Sequence, residues 1–299
     1  MPRLLKALSW NTKDGGAVDE DGVPANRWRD QVKLIAAQEP DVVFLQEMRD
    51  FADQAVRARW EDELAAHGRP LRLLVAPSSD RNHTVLGYDP ACIRLEHWDD
   101  RWSHLTAMGF GVATVVAASP DSPIPDGMRL RLASLHLFPG SRLKALQDAE
   151  LIIGRLWRKG GQHAIVGGDV NYCPEGDPEP MWERLPRNVQ MARCEERTHP
   201  TDVLRADFSI ARKLEAGRLV DVARALYLTD GDDAHLDATG QLRVRVDQFH
   251  VTEPLRRAIR NYHRLDTTTS DHSPIVSEYD LASADTPRQR ALELRPARL

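Results

Sequence analysis

The stretch AIVGGDVNYCPE (residues 164–175) decides how the rest of the chain is read. Ala164, Ile165 and Val166 form an apolar run followed by two glycines, the pattern of a buried strand about to end. Asp169 and Asn171 come next, with one apolar residue between them. In extended chain, residues two apart point to the same side, so a carboxylate and an amide would stand together at the lip of a sheet. A turn built on Gly-Gly-Asp and Asn explains the same residues without any chemistry. The choice depends on whether other polar groups converge on the same place.

Outward from that stretch, apolar strands recur along the chain. LLKALSW delivers Asn11 to its end, and the apolar run of DVVFLQE leads to Glu47 just past its end. LRLLVAP, HTVLGYDP, GVATVVAAS, LRVRVDQFHV and SPIVSEYDL read as further strands. In RLRLASLHLFPG, Leu130, Leu132, Ser134 and His136 share one face, with Arg129 and Arg131 on the other. Helices are expected from Trp28 to the Glu39-Pro40 stop, over residues 51–66, and from an N-cap at Ser141 to about Trp157. LEAGRLVDVARAL reads as a short helical segment and PLRRAI as a brief helix. The expected class is mixed α/β, with one domain over residues 1–281 and a mobile polar tail over 282–299.

Composition bounds the function. The 299 residues are 41% hydrophobic and 28% charged, which fits a globular chain able to bury a full core. A net charge of −5 argues against a basic nucleic-acid-coating surface, although arginine is plentiful enough for a local positive cleft. No apolar run reaches transmembrane length and the N-terminus lacks a signal-like apolar core, so a cytoplasmic protein without a membrane anchor is expected. Cys92, Cys173 and Cys194 have no metal-ligand spacing, and no disulfide is expected.

Asn11, Glu47, His136, Asp169, Asn171, Asp247, Asp271 and His272 each fall at or near the end of an apolar strand. Any one alone has a plain structural explanation as a cap, a loop acid or a core histidine. Together they form the polar rim expected where rigid strands hold side chains around a substrate. Carboxylates and amide oxygens without thiolates favour a hard divalent cation, Mg²⁺ or Mn²⁺, over zinc. Histidines beside them can donate to an anionic transition state, so the expected chemistry is metal-assisted water attack on a phosphate ester.

These stretches resemble the endonuclease/exonuclease/phosphatase superfamily, also called the DNase I-like fold. The matching segments are SWN (residues 9–11), LQE (45–47), SLHL (134–137), GGDVN (167–171), RVDQF (245–249) and SDHSP (270–274), in the family's order. The resemblance implies a four-layer α/β/β/α sandwich of two mixed β-sheets. It implies that Glu47 is the principal metal ligand, with Asn11 beside it and Asp271 joining the same or a second metal. It further implies that Asp169 orients or deprotonates water, that Asn171 and His136 contact the scissile phosphate, and that His272, oriented by Asp247, polarises it. The family often has Asn where Ser134 stands, and the shorter serine puts a phosphate contact there in doubt.

The family spans nucleases, inositol-phosphate phosphatases, sphingomyelinases and deadenylases, so the fold alone does not choose a substrate. The basic segments 184–197 and 254–264 read as solvated helix faces, and Arg142 as a solvated helix-start arginine. Trp98 and Trp102 lie among acids, which disfavours docking on an anionic membrane. The expected partner is a phosphate-ester substrate, with nucleic acid among the candidates, and the first expectation is a nuclease or phosphodiesterase. The alternatives are an enzyme for a small soluble phosphate ester or lipid headgroup, or a phosphate-binding module that has lost catalysis. Oligomeric state is not encoded in any of these features.

Overall fold

Two six-stranded mixed sheets stack face to face because most of their strands are apolar on both sides. The computed structural model describes residues 3–18, 23–158, 162–199, 201–240 and 242–285. The first sheet has the order β11 (Ile259–Arg264), β12 (Ile275–Tyr279), β1 (Leu5–Asn11), β2 (Val42–Arg49), β4 (Asn82–Tyr88) and β3 (Arg72–Ala76). The second has the order β5 (Ile93–Asp99), β6 (Val112–Ala117), β7 (Leu130–His136), β8 (His163–Asp169), β10 (Asp247–Thr252) and β9 (Leu219–Asp221). β1 runs parallel to β2 and β7 parallel to β8, while the other pairings are antiparallel.

Alternation along each strand sorts its side chains into layers. Leu5, Ala7, Val42, Phe44, Leu130, Leu132, Ile165 and Phe249 face the space between the sheets. Leu8, Trp10, Val43 and Leu45 face the other way, against Trp28, Val32, Ile35, Trp60 and Leu64 of α1 (Arg27–Ala37) and α2 (Gln54–Ala66). Ala133, Leu135, Ala164 and Val166 likewise pack on α3 (Arg142–Leu156) and α5 (Ser209–Ala216). The layers are therefore helix, sheet, sheet and helix, as the resemblance implies. Fully burying each large apolar side chain contributes about 1.5–3 kcal/mol, and the central layer is continuous across both sheets.

The glycines of the opening stretch do not end their strand. β8 runs through Gly167 and Gly168 to Asp169. A Cβ on Gly167 would sit 2.6 Å from the Phe249 ring and 3.0 Å from Phe44, the two rings that meet edge to face at 5.8 Å across the sandwich. A Cβ on Gly168 would lie 1.8 Å from the Leu135 carbonyl oxygen. Both positions are glycine because of close packing rather than turn conformation.

Other boundaries differ from the sequence reading. Glu47 lies inside β2 rather than beyond it, and the β10 strand starts at Asp247 rather than near residue 242. The segment read as one helix at 214–226 divides into the end of α5, the short strand β9, and α6 (Val222–Asp230). β5 arises where no regular element was expected, and β11 replaces the second half of the 254–264 helix face, because tertiary pairing overrides weak local periodicity; the helix α4 (Arg187–Arg193) falls within the 184–197 segment read as a helix face. A 3-10 turn, Leu281–Ser283, crosses the expected boundary between domain and tail with Leu281 buried, and residues 286–299 of the expected tail lie outside the described residues.

Candidate active site

Strand direction brings the polar residues to one end of the sandwich. Parallel β1, and β7 with β8, contribute their last residues, Asn11, His136 and Asp169. Antiparallel β10 contributes its first, Asp247, and β12 is preceded by Asp271 and His272. On β7, β8 and β10, His136, Asp169 and Asp247 continue the face that carries Leu132, Ile165 and Phe249, so they end the apolar layer between the sheets.

Glu47 reaches this cluster through a backbone irregularity. Val43, Leu45 and Met48 all pack toward the helices, which requires the alternation of β2 to slip by one residue. The slip is a β-bulge between Leu45 and Met48, and Glu47 sits in it with φ of 55°. Strict alternation would have turned Glu47 toward α1 and α2; the bulge re-aims its carboxylate toward β1. There Asn11 Nδ2 donates to Glu47 Oε1 and to Asp169 Oδ2, both at 3.0 Å. The same amide thus faces carboxylates from both sheets.

Asp169 and Asp247 stand directly opposite each other in the antiparallel β8–β10 pair. Two like charges so placed repel, and His272 lies between them. Its Nδ1 is 2.8 Å from Asp247 Oδ2 and its Nε2 is 3.8 Å from Asp169 Oδ2. Burial disfavours charge on this ring, but Asp247 and then Asp169 outweigh it and raise the pKa to about 10. Burial also pushes the Asp247 carboxyl upward. The pair therefore holds its proton tightly, and the proton sits on the imidazole. The loop is stitched to β1: Ser270 Oγ donates to the Asn11 carbonyl at 2.7 Å, and Trp10 Nε1 donates to the His272 carbonyl at 2.9 Å.

His136 Nε2 approaches Asp169 Oδ2 at 3.6 Å, while its Nδ1 is buried without a hydrogen-bond partner among the described residues. Both imidazole Nε2 atoms are therefore beyond hydrogen-bond distance from the same carboxylate oxygen. Asp271 faces Lys13 Nζ at 3.4 Å, apart from the Asp169–Asp247–His272 cluster.

Asn171 is not the continuation of a strand. Its N–H donates to Asp169 Oδ1 at 2.9 Å, closing an Asx turn, and its φ is 64°. The turn reading and the chemical reading of the opening stretch thus describe the same residues. Asn171 Nδ2 donates to the Leu137 carbonyl at 3.0 Å, and its Oδ1 accepts from Arg193 at 2.8 Å. Arg193, at the end of α4, was hidden in a segment that reads as a solvated helix face. Burial lowers its pKa against the pull of Asp169. Among the described residues it has no carboxylate within ion-pair distance, whereas Arg142 nearby in sequence order to the site strands is held by Asp207 and Glu196. Ser134 does not face the cluster as a free donor: its hydroxyl donates to the Leu45 carbonyl at 3.1 Å and accepts from Gln46 Nε2 at 3.0 Å.

The donor set fits a hard divalent cation. The Glu47 and Asp169 carboxylates meet at the Asn11 amide, whose Nδ2 donates to both while its Oδ1, the atom able to ligate a cation, accepts from the Lys13 N–H at 3.1 Å, and all three cysteines are buried elsewhere. A second acidic cluster, Asp41 and Asp89 with Cys92, does not fit one, because Arg3 and Arg69 already occupy its carboxylates.

Comparison with known proteins supports the same fold. The family model described as Endonuclease/Exonuclease/phosphatase family matches residues 8–272. An endonuclease/exonuclease/phosphatase from Bacteroides vulgatus superposes with a TM-score of 0.62 at 13% identity, covering 92% of this chain and 98% of that one. The human Nocturnin catalytic domain with bound sulfate gives 0.58 at 16% identity, covering 93% and 95%. A humanized D. rerio TDP2 gives 0.56 at 16% identity, covering 92% and 98%. No curated protein matches the chain by sequence.

Proposed function

This chain belongs to the endonuclease/exonuclease/phosphatase family, and from that premise we propose that it is a divalent-cation-dependent phosphoesterase that hydrolyses a phosphodiester, most simply as a nuclease. The observation that carries the reading is the convergence of His136 Nε2 and His272 Nε2 on Asp169 at 3.6 and 3.8 Å. Both separations exceed a direct hydrogen bond, so neither ring nitrogen is committed to Asp169 and each is left to meet a substrate oxygen beside that carboxylate. Mg²⁺ or Mn²⁺ held by Glu47 and Asn11, with Asp271 at the same or a second position, would supply positive charge to the phosphate and its leaving oxygen.

Asp169 is the base that orients water and takes its proton, with Oδ1 fixed by the Asn171 N–H and Oδ2 by Asn11. His272 donates from Nε2 to a phosphate oxygen as an imidazolium, a state that Asp247 maintains. His136 donates to the same group. Asn171 presents the second hydrogen of its Nδ2, in an orientation that Arg193 enforces by occupying Oδ1. Arg193 adds a charge whose partner is the substrate phosphate, since a largely buried guanidinium without a carboxylate calls for an anion.

The test is cleavage of labelled single- and double-stranded DNA, abasic duplex, RNA, an inositol polyphosphate and sphingomyelin, in Mg²⁺, Mn²⁺ and EDTA. Metal-dependent cleavage of one class, lost in Asp169→Ala, is expected. No cleavage of any substrate in either metal would reject the catalytic reading in favour of a binding module.

A further inference from the structure

On the helix-facing side of the second sheet lies a cavity of about 70 Å³. Its lining includes Arg101, Arg131, Arg155, Arg158, Thr114 and Asp99. Arg131 alternates with Leu130 and Leu132, which face the other sheet, so the cavity opens on the opposite face from His136 and Asp169.

Its charges do not balance. Asp99 accepts from Arg101 at 2.9 and 3.2 Å and pairs with Arg155. Arg131 spends Nη1 on the carbonyls of Arg155 and Leu156 at the end of α3, at 3.1 and 2.6 Å, leaving its other N–H groups. Arg158 has no hydrogen bond or ion pair among the described residues. Four guanidinium groups thus share one carboxylate. The fully buried Arg245 is, by contrast, matched by Asp177 and Asp221. Repulsion is felt locally: burial, and then Arg158, lower the pKa of Arg155, and burial lowers that of Arg131. All four remain charged at neutral pH, and clustered cations in a concave site are stabilised by an anion that bridges them. The volume is several times the ~10–15 Å³ that one enclosed water needs on the same measure, enough for one tetrahedral oxyanion.

We propose that this cavity is a second phosphate-binding site, separate from the strand-end cluster, in which one phosphate group is held by Arg131, Arg155 and Arg158 with the Thr114 hydroxyl at the wall. The phosphate belongs either to a small phosphorylated molecule or to the backbone of a nucleic acid, and the site is independent of whether the strand-end cluster is catalytic.

Inorganic phosphate is titrated calorimetrically into the full chain in EDTA at constant ionic strength, and a labelled single-stranded oligonucleotide is followed by anisotropy. Arg158→Glu is the first variant, since Arg158 supports no contact needed for folding; Arg131→Met is the second. The expected result is saturable phosphate binding in the wild type, weakened at least about tenfold in Arg158→Glu, with cleavage of any substrate at the strand-end cluster unchanged. Loss of oligonucleotide binding in Arg158→Glu, with phosphate itself too weak to measure, would support the site and assign the phosphate to a polymer. Equal affinities of wild type and both variants, or no binding of either probe up to about 10 mM, would overturn the proposal.

Discussion

Replacing Asp247 with Asn keeps the side chain's size while removing the charge that holds His272 protonated. In the wild type, burial lowers the affinity of the His272 ring for a proton, but Asp247 at 2.8 Å and Asp169 at 3.8 Å raise its pKa to about 10. The imidazolium is thus present throughout the neutral range, and activity that needs it falls only as pH rises through about 10. Without Asp247 the ring falls back toward the ordinary histidine value of about 6.5, burial opposing its charge and Asp169 still favouring it. At about pH 8 only about 3% of a histidine with pKa 6.5 is protonated, so kcat/KM should drop by up to about thirtyfold there. The deficit should shrink toward about pH 6, where most of the ring is charged again. The assay is kcat/KM against pH for both proteins in Mg²⁺, beside an NMR titration of the His272 ring in EDTA. The alkaline limb should move down by several pH units in the variant. A deficit of the same size at both pH values, or a ring titration unmoved by the substitution, would refute the account of Asp247 as the group that charges His272.

Glu47→Gln should lower Mg²⁺-dependent turnover by at least about a hundredfold and weaken Mg²⁺ binding in calorimetry, with thermal stability close to wild type because the amide keeps the bulge position. Arg193→Met should raise KM and lower kcat together, by about tenfold or more in kcat/KM, whereas Arg193→Lys should restore charge but not the planar contact to Asn171; unchanged kinetics in both would remove Arg193 from the site. Gly168→Ala should destabilise the fold by more than about 3 kcal/mol in urea unfolding, since the added methyl meets the Leu135 backbone rather than a movable side chain.

Much of the site is legible from residue types at strand ends. Asn11, His136 and Asp169 are found by following apolar runs to where they stop, since a strand whose faces are both buried has its polar residues at its ends, whereas Asp247 stood inside the expected strand and only the fold puts it at the start of β10. Asp271 and His272 are found the same way, ahead of the last strand. Their roles were suggested by family motifs, and the ion pair between Asp247 and His272 now gives the pairing of those two a geometric basis. Arg193 was not legible. It lies in a polar segment whose alternating charges match a solvated helix, and nothing local signals that α4 turns one guanidinium toward Asn171. Ser134 could be located but its use could not, because its partners Leu45 and Gln46 belong to the other sheet.

By itself, the sequence determined which residues share a strand face and the chemical inventory, while the four layers were what the family resemblance implied. Period-2 alternation places Leu130 and Leu132 on one face and Ala133 and Leu135 on the other, and this follows from backbone geometry alone. Tertiary structure decided what depends on strand pairing. The slip between Leu45 and Met48 turns Glu47 from the helix side to the site, and the register of β8 against β10 sets two carboxylates face to face with one histidine between them. The two glycines of the opening stretch belong to the same class. They read as a turn along the chain, yet what they admit is the Leu135 backbone on one side and two phenylalanine rings on the other. Such neighbours are far apart in sequence, so only the packed fold brings them to bear.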